Sequence, residues 1–543
     1  MGERMRSDEY CGGFLGRRDF LKTAGVAGAA AVLGGWTTKG PAVASAQTNR
    51  PNVVYILADD LGYGDVSCLN PESKIPTANI DRVAREGIVF TDTHSGSAVC
   101  TPTRYGIMTG RYCWRSPLKA HVLEGHSPPL IKKDKLTVVS LLKSEGYRTA
   151  CIGKWHLGLG WATTDGHSPR PNNLDYAERI DDGPTVLGFD YFFGIPASLD
   201  MTPYLYVEND HVVTPPTETI ESSKAPAFFR GGPIAPGFKH ADVLPSLTRK
   251  AVQCIDDHAA KSPDSPLFLY FPLSAPHAPI VPTPEHEGKS KAGVYGDFVC
   301  QVDWTVGQVL DALERNRMAE NTLVIVTSDN GPAPVADFKK LKAMGHEPSY
   351  HFRGYKADIY EGGHRIPFVF RWPKHIKPGI SCDHLTCLTD LMATLAELVG
   401  KKLPDNAGED SVSMLPALLG TATKPARQDI VHHSANGFFS IREGTWKLEF
   451  CAGSGGWSEP TEPEAEKLGL PPVQLYDLNA EIGERQNVQD KHPEVVERLT
   501  KLLEKYVADG RSTPGARQQN EGKTSIWGPR AEKANPGKSG TAD

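Results

Sequence analysis

The 543-residue chain carries 59 Lys plus Arg against 65 Asp plus Glu, a formal charge of −6, and ten cysteines. Its length exceeds one small module and suits a large α/β domain with a smaller companion, and 39% hydrophobic with 23% charged residues excludes wholesale disorder. The acidic balance argues against a nucleic-acid binder, which needs a basic footprint, and no Cys-x-x-Cys pair marks a zinc module.

The N-terminus reads as an address. Arg17-Arg18-Asp19-Phe20-Leu21-Lys22 precedes an Ala/Gly-rich run from Ala24 to Gly35, and Ala44-Ser45-Ala46 supplies small residues for cleavage. This order predicts a twin-arginine export signal over 1–46, handled by the Tat translocase, and a mature bacterial protein in the periplasm or secreted beyond it. A membrane anchor needs roughly 20 apolar residues. The glycine-rich run is too short for that, so no stable anchor is expected. The leader holds six basic and four acidic residues, leaving the mature chain at −8. An anionic substrate would then need a local attraction, because the overall field repels it.

Asn52 to Ala58 is a continuous apolar run rich in β-branched residues, predicting a strand buried on both faces and ending in Asp59-Asp60. Ile80, Val83 and Ala84, stopped by Gly87, predict a helix. Tyr147 to Ile152 predicts a second strand, leading to Gly153-Lys154-Trp155-His156. Pro266 to Phe271 predicts a third, leading to Pro276-His277. Val302, Val306, Val309, Leu310 and Leu313 mark a long helix, and Leu391, Leu395 and Leu398 another. Between them Thr322 to Thr327 predicts a strand that ends in Ser328-Asp329-Asn330-Gly331. Helices alternating with buried strands indicate an α/β fold with a mostly parallel sheet, whose ligand site lies beyond the carboxyl ends of the strands. Three carboxylates and one amide at that edge are hard oxygen donors, suited to calcium or magnesium rather than zinc. The same residues also suit turns and helix caps.

Two polar stretches, Trp161 to Val186 and Thr214 to Lys239, read as loops near the site, and Asp200, Asn209, Asp210, Arg230 and His346 are candidate substrate contacts. From about Arg427 the composition shifts. Phe438 to Arg442 and Trp446 to Phe450 alternate like a hairpin joined at Glu443-Gly444, and Val473 to Asp477 reads as another strand. Pro493 to Ala508 predicts a helix with Val496, Leu499, Leu502, Leu503 and Tyr506 on its apolar side. The expected organisation is thus a catalytic domain over 47–426, an α+β subdomain over 427–513 and a flexible tail over 514–543.

Cys100-Thr101-Pro102-Thr103-Arg104, followed by Thr109-Gly110-Arg111, resembles the signature of the sulfatase family, Cys-x-Pro-x-Arg with Thr-Gly beyond it. The family's second signature is similar to Gly146 through His156, and further blocks match at His277 and at Lys356 through Arg365. The resemblance runs from about Pro51 to about Gly515 and implies an alkaline-phosphatase-like α/β fold. Thr103 stands where the family often has Ser or Ala, leaving the Cys, Pro and Arg intact.

By this resemblance Cys100 is oxidised by a formylglycine-generating maturation enzyme, and the hydrated aldehyde has two hydroxyls. One attacks sulfur to give a sulfoenzyme, and the other then expels sulfate and restores the aldehyde. The same resemblance implies that Asp59, Asp60, Asp329 and Asn330 hold a calcium ion that also touches residue 100. Arg104 steadies the hydrated aldehyde, Lys154 and Lys356 neutralise sulfate charge, His156 assists release, and His277 protonates the departing alcohol. The expected substrate is a sulfate monoester, aryl or carbohydrate. A formylglycine-dependent phosphonate or phosphodiester hydrolase is the alternative within the superfamily, and an inactive binder of sulfated glycans is the alternative from another class.

Overall fold

The computed structural model describes residues 50–529, so the expected signal over 1–46 and the end of the expected tail, 530–543, lie outside the described residues. β1 (Asn52–Asp59) alternates between two cores: Val53, Tyr55 and Leu57 join one apolar cluster, and Val54, Ile56 and Ala58 join the other. Burial on both faces is why this run shows no apolar/polar alternation. In chain order follow α1 (Ala78–Arg85), α2 (Cys100–Thr109), β2 (Arg148–Lys154), α3 (Val243–Lys261), β3 (Leu267–Pro276), α4 (Gly293–Arg315) and β4 (Thr322–Ser328).

Among the described residues the main sheet has ten strands, in the order Ile380–Cys382, Ile88–Phe90, Phe368–Arg371, β4, β1, β3, β2, Tyr191–Ile195, Val207–Glu208 and His211–Val212. The five strands from β4 to Tyr191–Ile195 run parallel, and antiparallel pairs occur only toward the two flanks. Parallel pairing brings their carboxyl ends to one edge, and the register opposes Ala58 to Ser328 and Asp59 to Pro276. α1, α3 and α4 cover one face, burying Ile80, Leu247, Val302 and Leu310, while α2 covers the other with Tyr105, Ile107 and Met108. The result is the large, mostly parallel sheet between helices that the hydrophobic pattern predicts.

A smaller antiparallel sheet follows, β5 (Asp429–His433), β6 (Phe439–Glu443), β7 (Trp446–Glu449) and β8 (Gln474–Asp477), in that order. α5 (Pro493–Asp509) covers it with Val495, Leu499, Leu503 and Tyr506. The helical phase is therefore set by Val495, and Val496 and Leu502 are only partly buried. The hairpin turn is Gly444-Thr445, since Glu443 pairs with Trp446, and Gly444 supplies the φ of +58° that the turn requires.

β5 escapes a pattern search because its buried end is His432-His433 rather than an apolar pair. The described start of the tail is anchored rather than free. Glu521 N donates to Arg115 O, Ile526 is buried, and Trp527 meets Phe450 edge-on at 5.4 Å. Among the described residues no helix is long and apolar enough to cross a membrane.

Candidate active site

At the carboxyl edge of the sheet the two acidic turns are tied together. Leu61 N donates to Ser328 Oγ at 2.9 Å, Ser328 Oγ–H donates to Asn330 O at 2.9 Å, and Asp60 N donates to Asp329 Oδ1 at 3.2 Å. Asp60 takes a left-handed φ of +67°, which aspartate tolerates better than most residues and which lets the chain reverse at the strand end. Asp59, Asp60, Asp329 and Asn330 are all buried within this turn pair.

Three cations meet the three carboxylates. Lys154 Nζ, from the end of β2, lies 2.7 and 2.9 Å from the Asp59 oxygens. Lys356 Nζ lies 2.7 and 2.8 Å from those of Asp60. Arg104, one turn into α2, binds Asp329 Oδ2 through Nε at 3.1 Å and Nη2 at 2.7 Å, and donates Nη1–H to Lys154 O at 3.0 Å. Cys100 is buried in the first turn of the same helix, which puts its side chain and the Arg104 guanidinium on one face. Burial raises the Cys100 thiol pKa, partly opposed by Lys154 and Lys356.

The carboxylates respond to this crowding in opposite directions. Burial drives Asp59 upward, but Lys154, His277, Arg104 and Lys356 together outweigh it and hold the carboxyl well below its usual range. Asp329 is pushed up to about 6, first by burial and then by the neighbouring Asp59 charge, against the pull of Arg104.

Both histidines have their tautomers set by a carbonyl, which can only accept. His156 Nε2–H donates to Leu123 O at 2.7 Å, leaving a buried Nδ1 without a hydrogen-bond partner. Burial, then Lys154 and Arg104, pushes the His156 pKa well below its ordinary value, so its imidazole is neutral and Nδ1 is a free base. His277 Nδ1–H donates to Ala278 O at 2.7 Å, and its Nε2 stands 3.6 Å from Asp60 Oδ2. Leu123 O and Ala278 O are backbone atoms, so no side-chain motif could have pointed to either.

The donor set fits a hard divalent cation. Asn330 Oδ1 is buried without a partner, and ligand atoms of Asp59, Cys100 and Asp329 lie within 4.8 Å of one another, as do those of Asp59, Asp60 and His277. A second buried group, His94, His364 and His432, also brings three ligand atoms within 4.8 Å. There the His364 and His432 rings stack at 3.6 Å with an interplanar angle of 11°. Imidazole lone pairs lie in the ring plane, so two stacked rings do not converge on one ion.

The other sequence candidates divide. Asp200 approaches His277 at 3.9 Å, and Arg230 approaches Asp200 at 3.8 Å. Asn209 and Asp210 form the tip of the Val207–Val212 hairpin, where Asp210 pairs with Arg179 and His211. His346 is buried against Asp65 at 2.8 Å, so it is a support of the Gly62–Asp65 turn and not a substrate contact.

Residues 51–401 match the sulfatase family model, and residues 15–34 match the signal sequence of the twin-arginine translocation pathway. The chain belongs to the sulfatase family. It is 35% identical to the N-acetylgalactosamine-6-O-sulfatase of Bacteroides thetaiotaomicron over 498 residues, covering 84% of this chain and 93% of that one. Human arylsulfatase A is 32% identical, over 87% of this chain and 91% of its own. A solved Bacteroides thetaiotaomicron structure from work on metabolism of multiple glycosaminoglycans superposes with a TM-score of 0.73 at 33% identity, covering 84% of this chain and 99% of that one. This sulfatase is therefore a sulfuric ester hydrolase carrying a Tat export signal, which directs it to the periplasm or beyond. A buried acidic and histidine cluster compatible with a divalent metal lies at its sheet edge.

Proposed function

We propose that the protein is a calcium-dependent, formylglycine-type sulfatase that acts on a sulfated carbohydrate after export. The supporting observation is the buried cluster of three carboxylates, an amide with an unpartnered oxygen and three cations at the sheet edge, where ligand atoms of Asp59 and Asp329 lie within 4.8 Å of that of Cys100. Asp59, Asp60, Asp329 and Asn330 would hold the calcium ion, with residue 100 beside it. Bound there, calcium would polarise the sulfate oxygens and favour an ionised nucleophile. Three carboxylates against three cations leave this cluster neutral, so a divalent ion gives it a local charge near +2. That local field is what attracts an anionic ester to an exported chain of net charge −8.

A maturation enzyme would convert Cys100 to formylglycine, whose hydrate supplies one hydroxyl for attack on sulfur and a second to drive release. Lys154 and Lys356, now shared between carboxylate and substrate, neutralise the sulfate oxygens. Arg104 fixes Asp329 and the backbone of Lys154, so it holds the nucleophile's surroundings in place. His277 Nε2, when protonated, gives its proton to the alcohol oxygen as the sulfur–oxygen ester bond breaks. His156 Nδ1, the free base, takes the proton of the second hydroxyl. A carbohydrate substrate is supported by the glycan sulfatase among the similar proteins.

The direct test is mass spectrometry of the tryptic peptide Glu86 to Arg104. An aldehyde or its hydrate at position 100 is expected in active enzyme, and an intact thiol there would sink the mechanism. Paired assays on an aryl sulfate and a phenyl phosphonate separate this reading from a phosphonate hydrolase; far faster phosphonate turnover would reverse it.

A further inference from the structure

Beside His277 stands Asp200, and beyond it Arg230 and then Glu124, three charged side chains that the sulfate chemistry does not use. Asp200 Oδ1 is buried without a hydrogen-bond partner, 3.9 Å from His277 Nδ1. Arg230 Nη2 lies 3.8 Å from Asp200 Oδ2, and Arg230 Nη1 donates to Glu124 Oε2 at 2.8 Å. A surface ion pair alone means little. This one has a built support. Arg230 N donates to Asp200 O at 3.0 Å, and the hydroxyl of buried Tyr204 lies 2.9 Å from Asp200 O and 2.7 Å from Arg230 O.

The same segments are tied to the reaction centre. Ile280 N donates to Pro226 O at 3.0 Å, joining the His277 segment to the loop that carries Arg230. Leu123 N donates to Thr101 Oγ1 at 3.2 Å and Leu123 O holds His156, which places Glu124 one residue from both contacts. Three segments distant in sequence are thus fixed around the position of the leaving alcohol before any substrate binds. Such preorganisation favours recognition over incidental surface pairing.

A carboxylate accepts hydroxyl protons and a guanidinium donates to hydroxyl oxygens, so an adjacent Asp and Arg match neighbouring hydroxyls of a pyranose ring. Two carboxylates with one guanidinium give this rim a charge near −1, which disfavours a second sulfate on the same ring. We propose that Asp200 and Arg230, braced by Glu124, read the free hydroxyls of the sugar ring that bears the scissile sulfate. The preferred substrate is then a singly sulfated ring with its neighbouring hydroxyls unsubstituted. The inference rests on the sulfatase reading above, with His277 at the leaving oxygen.

The test compares wild-type, D200N and R230M enzyme on 4-methylumbelliferyl sulfate, N-acetylgalactosamine 6-sulfate and N-acetylgalactosamine 4,6-disulfate. Both variants should lower the kcat/KM ratio of sugar monosulfate to aryl sulfate by about tenfold or more, as unpaired polar groups then face the ring. D200N should also narrow the preference for monosulfate over disulfate. Arg230 is half exposed, so R230M keeps the test valid even where D200N fails to fold. A ratio within about twofold of wild type in R230M and in any folded D200N, or a wild-type preference for the aryl ester, overturns this proposal alone. Wild-type enzyme that hydrolyses none of the three esters overturns the sulfatase reading and this proposal with it.

Discussion

Two of the buried clusters of ionisable side chains among the described residues, one at the sheet edge and one under the C-terminal sheet, differ in what they could do chemically. At the sheet edge Asp59, Asp60 and Asp329 face Arg104, Lys154 and Lys356, while His277 and Lys356 keep a small exposed surface. In the seam under the C-terminal sheet, Asp92, Glu361 and Glu484 face Arg365, Arg442 and Lys447 around His94, His364 and His432. All three seam histidines, with Glu361, Lys447 and Glu484, are fully closed to solvent. Each contains unpartnered atoms, Asn330 Oδ1 in the first and His432 Nε2 in the second. What separates them is access from outside and the direction of the lone pairs. A dense set of buried charges marks a catalytic site only when an ion and a substrate can reach converging donors.

Breaking the first cluster at Cys100, the proposed nucleophile, should have the largest effect. Cys100→Ser has one hydroxyl where the proposed chemistry needs two, so multiple turnover should fall by on the order of 10^4-fold or more with the melting temperature retained. Multiple turnover near wild type in this variant would contradict the two-hydroxyl mechanism. Breaking the second cluster should instead cost stability. Lys447→Met leaves Glu361 and Glu484 buried without the ammonium that lies 3.2 and 2.6 Å from them. The expected loss is about 3–5 kcal/mol in urea unfolding, with a correspondingly lower melting temperature. A variant as stable as wild type would show that the seam charges carry no structural role.

Calcium distinguishes the two clusters at a smaller scale. If the ion binds only the folded edge site, saturation at 100 times its Kd stabilises the protein by about 2.7 kcal/mol. Asn330→Ala should abolish this calcium-dependent rise in melting temperature, whereas His432→Asn should keep it from a lower starting point. An equal calcium response in wild type and Asn330→Ala would place the ion elsewhere.

The edge site was legible because it is written in side chains at strand ends. Asp59-Asp60 and Asp329-Asn330 each follow a run of buried apolar residues, and parallel pairing brings such runs to a common edge. The seam was not legible. Its strand β5 ends in two histidines, which no apolar pattern picks out, and only the fold brings His432 against His94 and His364. His346 misled for the same reason, since its polarity is absorbed by Asp65 and not by substrate. Neither Leu123 O nor Ala278 O leaves a trace in sequence, yet these two carbonyls decide which histidine nitrogen is free. The helix phase of α5 and the anchored start of the tail depend on packing against the small sheet, which local periodicity does not encode.

The smallest expected effect is the change that one substitution, His432→Asn, makes to the acid response of the seam. Burial lowers the pKa of His94; burial and then Lys447 lower that of His364 well below its ordinary value; burial and then His364 do the same to His432. Below the ordinary histidine pKa, near 6.5, the unfolded chain therefore binds protons that the folded seam refuses. Stability from these groups is complete above that pH and declines as the pH falls below it. The decline is about 1.4 kcal/mol per pH unit for each histidine that remains neutral when folded. Urea unfolding between pH 5 and 8 should show this slope, and His432→Asn should make it shallower because one of the refused protons is gone. A slope unchanged by that substitution would mean that His432 titrates alike in both states. Asp329 cannot account for such a decline, because a carboxyl raised to about 6 in the folded protein binds its proton there first and gains stability as the pH falls.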